Sequence, residues 1–159
     1  MEPSVVQLEE FGVVGVTFTA NLKEIVEEEL GSKAAASLKS RADEVMGRVG
    51  DAIYLVQIYP MKENFNPNVD RFTQIIGYKV IGSSIAPTDM IHHVVPANRY
   101  VKCTHKGLES ELGRTYDFLY GTYVGQLGTH PVGYDFEIMD ERFIPDSPDN
   151  EIDLHIAIA

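Results

Sequence analysis

The chain has 159 residues, 44% of them hydrophobic, with 24 acidic and 13 basic side chains and a formal net charge of −11. That length suits one domain, 1–159, able to bury roughly 68–70% of the surface its unfolded chain exposes. The acidity disfavours direct contact with nucleic acid, because such a field repels phosphate. A lone Cys103 excludes an internal disulfide, no apolar run reaches the length of a membrane span, and MEPSVVQLEE lacks the basic head and apolar stretch of a signal peptide, so a cytoplasmic protein is expected.

Val13 to Thr19 alternates as a strand, with Gly15 marking a bulge or a close backbone approach. Asn21 and Glu24 have the spacing of a capping box, and Leu22, Ile25, Val26 and Leu30 follow at helical spacing until Gly31. A second helix restarts at Ser32, its stripe Leu38, Ala42, Val45, Met46 and Val49, and stops at Gly50. Ala52 to Tyr59 is a strand closed by Pro60, and Arg71 to Ile81 returns as another after an asparagine- and proline-rich turn. Glu27 to Glu29 reads as a solvated face.

After a loop at Gly82 to Asp89, Ile91 to Val95 and Tyr100 to His105 read as strands around a Pro96–Arg99 turn. A helix follows Gly107, with Leu108, Leu112, Tyr116, Leu119 and Tyr120 three and four apart, fraying near Gly121 to Gly125; Gln126 to Gly133 reads as a loop. The last stretch, Tyr134 to Ala159, is a hairpin. Phe136 and Ile138 share one side of its first strand, opposite Asp135, Glu137 and Met139. Ile152, Leu154, Ile156 and Ile158 form an apolar row on the second, opposite Asp153, His155 and Ala157. Aligning the two apolar rows on one core leaves Glu137 on the other face.

The two halves, about 5–81 and 91–159, repeat one pattern. A shift of 78 residues lays Phe65-Asn66-Pro67 on Phe143-Ile144-Pro145 and Tyr59 on Glu137. The expected fold is therefore α+β: tandem strand–helix–strand–strand units related by a pseudo-twofold axis, helices on one face of antiparallel sheets and a concave ligand groove on the other, along the seam.

The segments IHHVVPANRYVKCTHKGLESELGRTYDFLYG, from Ile91 to Gly121, and FEIMDERFIPDSPDNEIDLHI, from Phe136 to Ile156, resemble the GyrI-like small-molecule-binding domains. That fold is shared by the effector-binding modules of AraC- and MerR-type drug-responsive regulators. The resemblance implies a stand-alone module taking bulky aromatic, hydrophobic or cationic molecules, with no cofactor and no metal. It makes Glu137 the polar anchor and, if the chain is an enzyme, the catalytic base. Tyr59, Tyr54, Tyr123, Tyr134, Met139 and Phe18 are the candidate ligand-binding lining. Met139 stands where the family motif usually has tyrosine, and Tyr123 where many relatives have tryptophan.

The resemblance carries two alternatives: a hydrolase of cyclopropane-type genotoxins using Glu137 as general base, and a protein-binding inhibitor of a DNA topoisomerase. Direct nucleic-acid and membrane partners are not expected; any regulation would run through sequestration or a separate regulatory protein partner. The histidines lack zinc-site spacing: His92 and His93 are adjacent on a strand and point apart, and His105 and His155 are each isolated. Cys103 lacks a catalytic partner, and Asp146 to Glu151 lacks calcium-loop spacing, so core, surface and solvated-turn roles are expected.

Overall fold

The structure is a computed structural model and describes residues 2–159. Among these residues, strands β1 (Ser4–Leu8), β2 (Phe11–Ala20), β3 (Arg48–Ile58), β4 (Phe72–Val80), β5 (Ile91–Val95), β6 (Asn98–Lys106), β7 (Pro131–Met139) and β8 (Glu151–Ile158) form one sheet. Their spatial order is β1-β6-β8-β7-β3-β4-β2-β5, and each paired neighbour is antiparallel. Helices α1 (Leu22–Glu27) and α2 (Leu30–Ser40) belong to the first half, α3 (Leu112–Phe118) and the short α4 (Val124–Gln126) to the second. No helix among the described residues is long and apolar enough to cross a membrane.

The fold is α+β with the expected pseudo-twofold arrangement. Reading outward from the β3/β7 seam gives β4 and β2 on one side, β8 and β6 on the other. In the seam Gln57 lies directly opposite Asp135, 78 residues later, so the pseudo-axis passes between these two side chains. The outer strands are exchanged: β1 of the first half pairs with β6, and β5 of the second with β2.

The sheet curls strongly toward its helix-free side. Only Glu9 and Glu10 join β1 to β2, a link spanning at most about 11 Å, yet the two strands stand six places apart in the sheet. A flat sheet would separate them by roughly 29 Å. Inside the curl Phe136 meets Phe11 and Tyr100, each with ring centroids 5.4 Å away, in a buried cluster with Val13, Val56, Ile75, Val95 and Ala157. Outside it, Val14, Ile53, Ile76 and Tyr78 pack with Leu38 of α2. There too Val101, Cys103, Leu154 and Ile156 pack with Leu119.

Several boundaries differ from expectation. The first helix breaks at Glu29, in left-handed conformation (φ 52°), so Gly31 falls inside α2. The second ends at Ser40 rather than Gly50. Gly47 and Gly50 take positive φ (74° and 80°), which glycine tolerates, and β3 starts at Arg48, leaving Met46 and Val49 exposed. Strand β7 starts at Pro131, inside the expected loop, and β1 carries a segment that the alternation left unassigned. The Asn21–Glu24 capping box is present in both directions. Gly15 is a close approach: a Cβ there would stand 2.0 Å from the Ile76 carbonyl oxygen.

The β7–β8 turn is fastened to the start of the second helical segment by one side chain. Asn150 is fully buried; its Oδ1 accepts from the Ile144 N–H at 2.7 Å and its Nδ2 donates to the Gly107 carbonyl at 3.0 Å. Asn150→Ala strands both backbone groups, so a loss of about 1–3 kcal/mol of stability is expected in urea denaturation. Arg142 clamps the same turn, reaching Asp140 at 2.8 Å and Asp153 at 2.7 Å.

Candidate functional site

Register decides where Glu137 points. Directly opposed residues of an antiparallel pair project from the same face, and Glu137 lies opposite Leu154 of β8 and Leu55 of β3. It therefore shares the face of the Ile152–Ile158 row, beneath the helices. Phe136 lies opposite His155 and faces the inside of the curl. The expected alignment of the two apolar rows is corrected here: the rows face opposite ways, because both faces of this part of the sheet are buried.

Helix α3 and the π-wound Leu119–Tyr123 that continues it lay two tyrosines over the carboxylates. Tyr116 and Tyr120 are one turn apart, their rings roughly parallel at 25° and 6.2 Å. The Tyr116 hydroxyl donates to Glu137 Oε2 at 2.5 Å. Asp135 takes three donors: Tyr120 at 2.6 Å, Tyr59 at 2.8 Å and Gln57 Nε2 at 2.7 Å. Gln57 is in turn fixed by Gln74, whose Nε2 donates to its Oε1 at 2.9 Å. Asp135 is thus held by the fold from several sides, and Glu137 by one hydroxyl.

Burial governs the acidity of both groups. Glu137 is 4% exposed and Asp135 fully buried. Desolvation pushes Glu137 up to about 8, against the opposing hydrogen bond from Tyr116, and the nearby charges of Asp135 and Glu109 push it the same way. Asp135 rises only to about 6, because its three donors stabilise the charged form. Burial also holds the hydroxyls of Tyr59, Tyr116 and Tyr120 protonated, well above the ordinary tyrosine range. No lysine or arginine is among the groups that shift Glu137 or Asp135.

Of the residues nominated from sequence, Glu137, Tyr59 and Met139 share this face. Met139 lies opposite Ile53 at the seam and packs against both helix-side clusters. Phe18 is on the same face but out on β2, against the α2 cluster. Tyr54 and Tyr134 lie inside the curl; Tyr134 pairs with Tyr100, their hydroxyls 3.1 Å apart. Tyr123 turns away, its hydroxyl donating to the Pro3 carbonyl at 3.2 Å. Asp135, Tyr116, Tyr120 and Gln57 were not nominated. Asp135 stands two residues before Glu137 in a strand, and the Tyr116/Tyr120 spacing was visible, yet it read as core packing.

A model of the GyrI-like small molecule binding domain matches residues 1–159. The chain belongs to this family. Over 89 residues it is 33% identical to the transcriptional regulator BrlR of Pseudomonas aeruginosa, a match covering 55% of this chain and 33% of BrlR; it spans about a third of that curated relative's length. The chain is thereby related to part of a transcription regulator. Its fold is similar to that of SAV2435 solved with tetraphenylphosphonium, with TM-score 0.69 and 13% identity over 100% of this chain and 94% of that one. A putative transcription regulation protein of Staphylococcus aureus gives TM-score 0.68 and 15% identity over 99% and 98% of the two chains. The C-terminal domain of EcmrR gives 0.67 and 13% over 99% and 97%.

Proposed function

We propose that this GyrI-like domain binds bulky aromatic cations, with Glu137 as the anchoring carboxylate. The observation that carries this reading is a buried carboxyl with one hydrogen-bond donor, beneath stacked tyrosines. A carboxylate so placed is costly to ionise without a partner, and an organic cation supplies the missing charge. The neighbour SAV2435 was solved with tetraphenylphosphonium, a bulky aromatic cation, which supports the same class of ligand here.

In this reading the cation takes the place of the Tyr116 hydroxyl at Glu137, while Asp135, kept by its three donors, sets the local negative potential. The tyrosine faces add cation–π attraction of about 0.5–2 kcal/mol each, and Met139 adjusts to ligands of different outline. In this reading the covering segment moves aside to admit the cation. Gly113, Gly121 and Gly125 punctuate it, and Leu119–Tyr123 between α3 and α4 is wound as a wide π-turn. A Cβ on Gly125 would meet open space. Gly125→Ala should therefore raise stability by about 0.4–1 kcal/mol and lower cation affinity, read by denaturation and titration of the same variant.

The reading is tested by titrating tetraphenylphosphonium and the neutral triphenylphosphine oxide at pH 8.5. Preference for the cation by about tenfold or more is expected from a desolvated carboxylate; equal affinities would refute it. A ligand signal would pass to a separate regulatory protein partner, or the domain would act by sequestering the ligand.

A further inference from the structure

The inside of the curl has an open mouth of its own. A cavity of about 720 Å³ lies there, between the Glu9–Glu10 link and the inner faces of β3, β7 and β8. That volume is within the usual range of small-molecule sites, about 300–1,000 Å³. Phe11, Tyr54, Phe136 and Ile138 give it aromatic and apolar walls, and His155 lines it too; His92, opposite Val14, projects from the helix side. It is separated from Glu137 by the sheet, because Phe136 and Glu137 are successive residues on opposite faces.

One polar atom in this lining has no partner. His155 Nδ1 is buried and makes no hydrogen bond, although buried polar groups are satisfied in the great majority of cases. His155 is 4% exposed and lies flat on Phe136, ring centroids 4.4 Å apart and planes within 6°. Burial holds its imidazole neutral, down to about 4, so the orphaned Nδ1 donates or accepts according to tautomer. The charged lining groups are Glu9, Glu10 and Lys79, with the Lys79 ammonium 5.2 Å from the centre of the Phe11 ring. Both carboxylates of the lining, Glu9 and Glu10, are exposed on the link, so no buried carboxylate anchors a cation there.

We infer that this mouth is a second binding site, for an uncharged aromatic compound bearing a hydroxyl group, which packs on the Phe136–His155 stack and completes the orphaned His155 nitrogen. Such a ligand is chemically distinct from the cation proposed for the helix-covered face, and the two sites are occupied independently.

The test uses 2-naphthol and naphthalene, alike in shape and different by one hydroxyl, titrated into protein with 15N-labelled histidine. Binding of 2-naphthol should be tighter by about tenfold, the worth of a hydrogen bond to a buried partner, and should shift the ring nitrogens of His155. Those shifts should persist with saturating tetraphenylphosphonium present. His155→Phe keeps the stacking surface and should remove the preference for naphthol. Equal binding of the two compounds, absence of binding with ring nitrogens hydrated by water alone, or loss of the shifts on adding tetraphenylphosphonium would overturn the second site. The ring-nitrogen measurement on the unaltered protein decides the matter even where the variant fails to fold.

Discussion

Glu137→Gln is expected to weaken tetraphenylphosphonium binding by roughly 30-fold to several thousand-fold at pH 8.5, equivalent to about 2–5 kcal/mol for losing one member of a buried charge pair. Affinity for triphenylphosphine oxide should change little. Glutamine keeps the shape of the side chain and still accepts from the Tyr116 hydroxyl, which donates to Glu137 at 2.5 Å. The contrast therefore reports charge and not packing. Isothermal titration of both compounds into both proteins measures it. A comparable loss for the neutral compound would mean that Glu137 shapes the site without recognising charge.

The second large effect is on stability without ligand. In the fold Glu137 holds its proton to about pH 8, whereas an ordinary glutamate releases it near 4.5. Between those values the folded chain binds more protons than the unfolded one, so stability falls as pH rises. Asp135 acts in the same direction between 3.8 and about 6. His155 opposes them: its folded value is lowered to about 4 from 6.5, so it adds stability as pH rises over that interval. Above pH 6.5 the Glu137 contribution stands clear of both. Urea denaturation should show the protein losing about 2 kcal/mol between pH 6.5 and 8, at about 1.4 kcal/mol per pH unit for one proton, and Glu137→Gln should show a much flatter profile. A wild-type profile equally flat would mean that Glu137 is not desolvated in solution.

The same burial explains what could be read from the chain. The repeat was legible because turn chemistry and strand alternation recur at a 78-residue shift, and the antiparallel seam places Gln57 opposite Asp135 at that spacing. Glu137 stood out through its resemblance to a family motif. Its orientation was not legible: period-two alternation separates the faces of each strand without saying how the faces of two strands align. In β8 both faces are buried, Leu154 and Ile156 toward the helices, His155 and Ala157 toward the inside of the curl. Apolar character alone could not choose the match.

The lining residues divide for a related reason. Tyr59 was found by counting across the repeat, and its hydroxyl does reach Asp135. Tyr54 and Tyr134 were among the tyrosines offered as lining, but each stands an odd number of steps along its strand from Tyr59 or Glu137, which sends its side chain to the other face. Tyr116 and Tyr120 were hidden by their own regularity, since a helical stripe of tyrosines that caps a carboxylate pair looks in sequence like one that fills a core.

The proton count of cation binding tests the central claim most directly. At pH 7 a carboxyl that titrates near 8 is mostly protonated, so a cation that pairs with Glu137 must drive its proton off. Titration of tetraphenylphosphonium at pH 7 in two buffers of different ionisation enthalpy should show about one proton released per cation bound. Glu137→Gln and triphenylphosphine oxide should show none. Tight binding of the cation with no proton released would contradict the account.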